Sequence, residues 1–194
     1  MSRSFRMVFL FMGLIFLAGC AGKIPHMLIA DYAKKGTRLI AVMPARNMVS
    51  DAGTASVLRE KLIEELYFKG YPKIPSKWID ERLAALPAGG GNLSPKLIGE
   101  MLNVDAVLYI TLKEGLTPVT LLYSPVAVDV EFELKSAKTG DSLWRVRHRA
   151  VHRNYGFSRK SLELKTWQVY ESVIQEVLRR ALETLPDGPD VIGS

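Results

Sequence analysis

Two long runs of alternating apolar and charged residues, Val126–Ser136 and Ser142–Val151, flank the segment Ala137-Lys138-Thr139-Gly140-Asp141. A two-residue period is that of a strand with one buried face, and a glycine between two such runs marks a hairpin. Its register follows from chemistry. A three-residue loop, Lys138-Thr139-Gly140 with Gly140 left-handed, sets Asp129 opposite Arg149, Glu131 opposite Arg147 and Glu133 opposite Arg145. The other face then pairs Val130 with His148, Phe132 with Val146 and Leu134 with Trp144. A two-residue Thr139-Gly140 loop would set Phe132 against Arg147 and Glu133 against Val146. A slip of one residue exchanges the faces of a strand, and each cross-strand pair is worth about 0.2–1 kcal/mol. The charge-matched register is therefore expected.

The apolar face of this hairpin needs a cover. The 3.6-residue period from about Leu162 to Leu185 supplies one: Tyr170, Val173, Ile174, Val177, Ala181 and Leu185 form a stripe, while Gln168, Ser172, Gln175, Glu176, Arg179 and Glu183 face water. Upstream, Arg38–Met43 reads as a buried strand stopped by Pro44, followed by a polar loop from Arg46 to Thr54. A helix to about Lys69 places Ala55, Leu58, Leu62, Ile63 and Leu66 on its inner side, with Gly70 as its natural terminator. Tyr71–Ile74 is expected to be a short strand, Ser76 the cap of a helix to about Leu86, and Ser94-Pro95 the start of a helix ending near Leu102. Asp105–Leu112 is nearly all apolar and reads as a central strand. This order predicts a single α/β domain, residues 37–185, with a mixed sheet of about five strands and helices packed on it. Pro186–Ser194 is expected to be a disordered tail.

The amino terminus determines where such a domain works. Arg3 and Arg6 precede an apolar run from Met7 to Leu17 interrupted only by Gly13. That is the length of a signal-peptide core and too short for a membrane span. It ends in Leu17-Ala18-Gly19-Cys20, which resembles a bacterial lipobox. Cleavage between Gly19 and Cys20 removes residues 1–19 and leaves acyl chains on Cys20, with residues 20–36 as a lipidated tether. Sixteen extended residues, 21–36, reach about 50 Å, although Met27-Leu28-Ile29 could instead dock on the domain. Ala21, not Asp, follows Cys20, which in enteric-type bacteria implies the outer membrane and its periplasmic face. Cys20 is the only cysteine, so there is no intramolecular disulfide. The leader carries two of the chain's basic residues and no acid, so a formal net charge of +6 becomes +4. That is no nucleic-acid footprint.

Catalytic and metal chemistry find little support. His148 and His152 sit four apart on a strand, about 13 Å, too far to share an ion. No nucleophile motif is present, and Gly89-Gly90-Gly91 lacks the Lys-Ser/Thr of a phosphate loop. No catalytic, cofactor or metal residues are assigned, and no small-molecule substrate is expected. Val119, Leu121, Leu122 and Tyr123, between Pro118 and Pro125, form either an exposed partner surface or an edge strand packed on the domain; Tyr155 and Phe157, in a stretch that also holds Arg153, Arg159, Lys160 and Trp167, serve either a partner or helix capping and packing. The second stretch suits a protein partner or lipid head groups.

Arg38–Pro44 followed by Asn47, Gly70-Tyr71, Asp105-Ala106-Val107-Leu108-Tyr109 and Thr139-Gly140-Asp141-Ser142-Leu143-Trp144 occur in the order seen in one family. The chain resembles, over about residues 30–153, a family of bacterial lipoproteins of unknown function that includes a meningococcal surface-antigen candidate. Its fold is similar to the amino-terminal domain of TolB and the periplasmic domain of the curli-secretion lipoprotein. The resemblance implies a non-enzymatic accessory or scaffold role in envelope transport or assembly, contact with another envelope protein, and a homodimer. Two alternatives stay open: a regulator of peptidoglycan synthesis acting on a penicillin-binding protein, and a subunit of a secretion pore.

Overall fold

The computed structural model describes residues 23–47, 52–85, 93–116, 123–155 and 158–191. Six strands form one sheet: β1 (His26–Leu28), β2 (Ile40–Val42), β3 (Arg46–Asn47), β4 (Ala106–Leu116), β5 (Tyr123–Ser136) and β6 (Ser142–Tyr155). Their order is β1-β6-β5-β4-β2, with β3 also on β4; β2 and β3 run parallel to β4 and the other pairs are antiparallel. Four α-helices pack on it: α1 (Ala52–Phe68), α2 (Ser76–Ala84), α3 (Pro95–Leu102) and α4 (Arg159–Leu182).

The hairpin register is the one that charge matching selects, with Asp129 opposite Arg149, Glu133 opposite Arg145 and Leu134 opposite Trp144. The connection differs. Ser136 N–H donates to Asp141 O and Gly140 N–H to Ser136 O, leaving Ala137–Gly140 as a four-residue loop. A register shift beside Leu134 absorbs the extra residue. Gly140 is left-handed as expected, with φ of 81°.

Two layers of helix enclose the sheet. The apolar rows of β4, β5 and β6 pack with α1 and α4, and Leu58, Leu62, Phe132, Trp144, Ile174 and Val177 are fully buried or nearly so. Trp144 Nε1 donates to Thr184 Oγ1 at 2.9 Å, which satisfies the one polar atom of that ring. On the opposite face α2 and α3 cover only the part nearest β2, through Ala41, Met43, Ile79, Leu83, Ile98 and Val107.

Local chemistry explains the helix ends. Tyr71 N–H bonds to Leu66 O and Gly70 N–H to Tyr67 O, the Schellman closure that needs a left-handed residue, here Gly70 with φ of 85°. Ser94 Oγ accepts from Leu97 N–H at 3.2 Å and Pro95 fills the first turn of α3. Ser76 does not cap α2, contrary to expectation: Pro75 holds that position, and the Ser76 hydroxyl donates to Glu60 on α1.

Three further expectations are corrected. Tyr71–Ile74 is not a strand; the Tyr71 amide is used by the helix closure and its side chain is turned inward. Residues 20–36 are not all tether. Met27 and Leu28 pair with β6, Ile29 N–H reaches Leu143 O, and Tyr32 in the following 3-10 turn is buried. Nor is the carboxy-terminal segment disordered through residue 191. Gly188 N–H donates to Lys69 O at 2.7 Å and Asp190 N–H to Gly70 O at 3.1 Å. A Cβ on Gly188 would lie 2.4 Å from Gly70 O, so glycine permits this approach. Tyr32 and Tyr71 hydroxyls lie 2.9 Å apart and the Tyr71 hydroxyl donates to Pro186 O, joining both ends of the domain to α1.

One buried cation ties the layers together. Arg59 of α1 donates from Nε and Nη2 to Val42 O and from Nη1 to Asp80 of α2 at 2.8 Å. It is 6% exposed. The sequence pattern gave no sign of it, because an arginine in an amphipathic helix is ordinarily a solvent-face residue.

Candidate functional surface

Strand alternation puts Thr111 and Lys113 of β4, Asp129, Glu131, Glu133 and Lys135 of β5, and Arg145, Arg147 and Arg149 of β6 on the face away from α4. No helix among the described residues covers this half. Its ion pairs are not the straight rungs that pairing across two strands predicts. Arg145 does bond Glu133, but Arg147 takes Asp129 with Nε at 2.9 Å, Lys113 takes Glu131, and Arg149 reaches Glu114 at 2.7 Å. A third strand causes the rearrangement. β4 offers Lys113, and a register shift between Leu112 and Glu114 re-aims Glu114 at the charged side. Asp129 is buried, and the hydrogen bond from Arg147 holds its carboxyl below the usual range despite desolvation.

Where α2 and α3 stop, a groove of about 440 Å³ opens over Met43, Leu83, Leu93, Ile98 and Tyr109. It runs beside a smaller polar hollow of about 160 Å³ that reaches Thr111, Glu131, Glu133 and Lys135. Arg46 and Tyr109 line both. The Arg46 guanidinium lies 5.7 Å from the Tyr109 ring centre and the Lys135 ammonium 5.8 Å. Burial pushes the Tyr109 hydroxyl above its ordinary range. Arg46 has no carboxylate partner among the described residues. An apolar floor with one unpaired cation, Arg46, at its rim suits an extended apolar segment, while Lys135 is already paired with Glu133. The sequence pattern placed Arg46 in a polar loop and Tyr109 in a core strand, and only the parallel pairing of β3 with β4 brings them together.

The sequence-derived candidates fare as follows. Gly19, Cys20, Val119, Leu121, Leu122 and Phe157 lie outside the described residues. Tyr123 and Tyr155 are opposite each other in the β5–β6 ladder, their rings 5.2 Å apart at the end of the hairpin away from its loop. His148 opposes Val130 and His152 opposes Val126. Among the described residues no group of His, Cys, Asp or Glu side chains could hold a metal ion, and no helix is long and apolar enough to cross a membrane.

The fold is shared with known proteins. A crystal structure of lipoprotein GNA1162 from Neisseria meningitidis is 22% identical, with a TM-score of 0.53, covering 71% of this chain and 99% of that one. A PelC dodecamer from Paraburkholderia phytofirmans is 17% identical, with a TM-score of 0.46, covering 81% and 95%. The LpoB carboxy-terminal domain from Escherichia coli is 14% identical, with a TM-score of 0.44, covering 72% and 92%. No curated protein matches the chain. The family model described as "Putative lipoprotein GNA1162-like" matches residues 29–188, from the strand edge at Ile29 to the docked Gly188, so the chain belongs to the GNA1162-like lipoprotein family.

Proposed function

We propose that this protein is a lipid-anchored, non-enzymatic scaffold or accessory subunit of an envelope transport or assembly system. Cys20 is its acylated residue, and the periplasmic side of the outer membrane is its site. The observation that carries the role is the half of the sheet left open beside the Arg46–Tyr109 groove. An antiparallel sheet can leave a charged face in water without loss of stability, so what supports the role is that this accessible face adjoins an apolar groove and the unpaired Arg46. The groove and the charged rows instead offer one continuous surface to a neighbouring envelope protein. Regulation of a penicillin-binding protein fits less well, because β1 docks the chain from residue 26 onward and little free tether remains to cross toward the wall.

The test is site-specific photo-crosslinking in intact cells with the probe at Arg46, Lys135 or Arg149, and at Glu64 on α1 as a control. One envelope protein should be trapped from the three open-face positions and not from Glu64. Trapping only a second copy of this chain would turn the scaffold into a structural homo-oligomer. Equal, diffuse products from all four positions would remove the role of this face.

A further inference from the structure

The β1–β6 pairing fixes a direction. His26 lies opposite Val146 and Leu28 opposite Trp144, so the chain before His26 heads toward the far end of β6. Ile24 still packs on the main core. From Ile24 back to Cys20 are four residues, which reach at most about 14 Å. β6 runs on from Val146 to Tyr155, about 30 Å, with no strand on its outer side among the described residues.

Tyr155 is 65% exposed and Val151 38%, and His152, Arg153 and, at the start of α4, Lys160 are exposed as well. Arg153 and Lys160 have no acidic partner among the described residues. The Tyr155 and Tyr123 rings lie 5.2 Å apart and tilted, an aromatic pair on a stretch that also carries Arg153 and Lys160. That combination is suited to the boundary between head groups and hydrocarbon.

We propose that the open end of the hairpin, at Tyr123, Val151, His152, Arg153, Tyr155 and Lys160, seats on the phosphate head groups of the membrane that holds the lipid. This rests on the reading that Cys20 is acylated. The charged half-face and the groove then stand upright beside the bilayer, open to a neighbour. The short tether and the cationic edge act together: the first keeps the edge within reach of the surface, and the second selects which side turns toward it.

The experiment uses the full, lipidated chain in vesicles of phosphatidylethanolamine and phosphatidylglycerol bearing a head-group nitroxide. A fluorophore is placed through Val151→Cys or, on the exposed side of α1, Glu64→Cys. Strong quenching at 151 with little at 64 is expected. Arg153→Glu and Lys160→Glu should each lower the ratio of seated to lifted molecules by about fivefold or more. Equal quenching at the two positions, or quenching at 151 that ignores both reversals, overturns the proposal. So does a label at 151 that is free in vesicles yet shielded by a protein in intact cells. Mass spectrometry of the same sample separates this from failure of the anchor itself: an unmodified Cys20 thiol with no protein floating on the vesicles would sink the lipoprotein reading and the seating with it.

Discussion

The two faces of the sheet are built from the same strands and have opposite fates. On one, Val130, Phe132, Leu134, Trp144 and Val146 alternate into a core sealed by α1 and α4. On the other, the residues between them form ion pairs whose arginines reach water, and only the margin near β2 is covered, by α2 and α3. The first face holds the fold together through area removed from water. The second contributes far less to stability, because exposed ion pairs are worth little. Its pairing keeps that face soluble and its side chains ordered.

The largest test of this contrast is on the sealed face. Phe132→Ala, at a fully buried site, should cost about 3–5 kcal/mol in urea unfolding. Truncation of the exposed pairs on the charged face, such as Arg149→Ala, should cost much less; a comparable loss there would mean that the open half is structural. Arg59→Ala comes next. It orphans Val42 O and breaks the link to Asp80, and about 2–4 kcal/mol should be lost. Arg59→Lys should recover only part, since one ammonium cannot reproduce the forked contact.

Within the charged face the pairs should rank by burial. Arg147→Ala strands the buried carboxylate of Asp129, whereas Arg149→Ala leaves the half-exposed Glu114 in water. Arg147→Ala should therefore shift the urea midpoint further, and equal shifts would show that Asp129 is solvated. The smallest effect is a pH slope. Burial lowers the pKa of His148, which sits near Glu176, Arg179, Arg180 and Glu183 of α4. The folded form thus resists protonation more than the unfolded chain does. Stability should be full above the ordinary value of 6.5 and decline as the pH falls below it. His148→Gln should flatten unfolding measured between pH 7 and 5. The Asp129 contribution, held by Arg147, should persist to lower pH and fade only below its ordinary 3.8.

The particular residues show where sequence reasoning carries and where it stops. The register of β5 on β6, the buried stripe of α4 from Tyr170 to Leu185, the Gly70 closure and the Ser94 cap were all readable, because each depends on neighbours in sequence or across one tight turn. The ion pairs were readable only in kind. Asp129 chose Arg147 and Arg149 chose Glu114 because β4 adds a third row that no two-strand pattern contains.

The sequence by itself determined that one face of a long hairpin is dry and the other charged, since a two-residue period with opposite charges in register permits no other burial. It also supplied the family resemblance that the match over residues 29–188 bears out. Only the tertiary structure decided that Arg46 meets Tyr109, that Arg59 is buried, and that both ends of the domain dock on α1. These contacts join residues from about 17 to 120 positions apart. Their partners are chosen by how helices and strands pack, which no local period encodes.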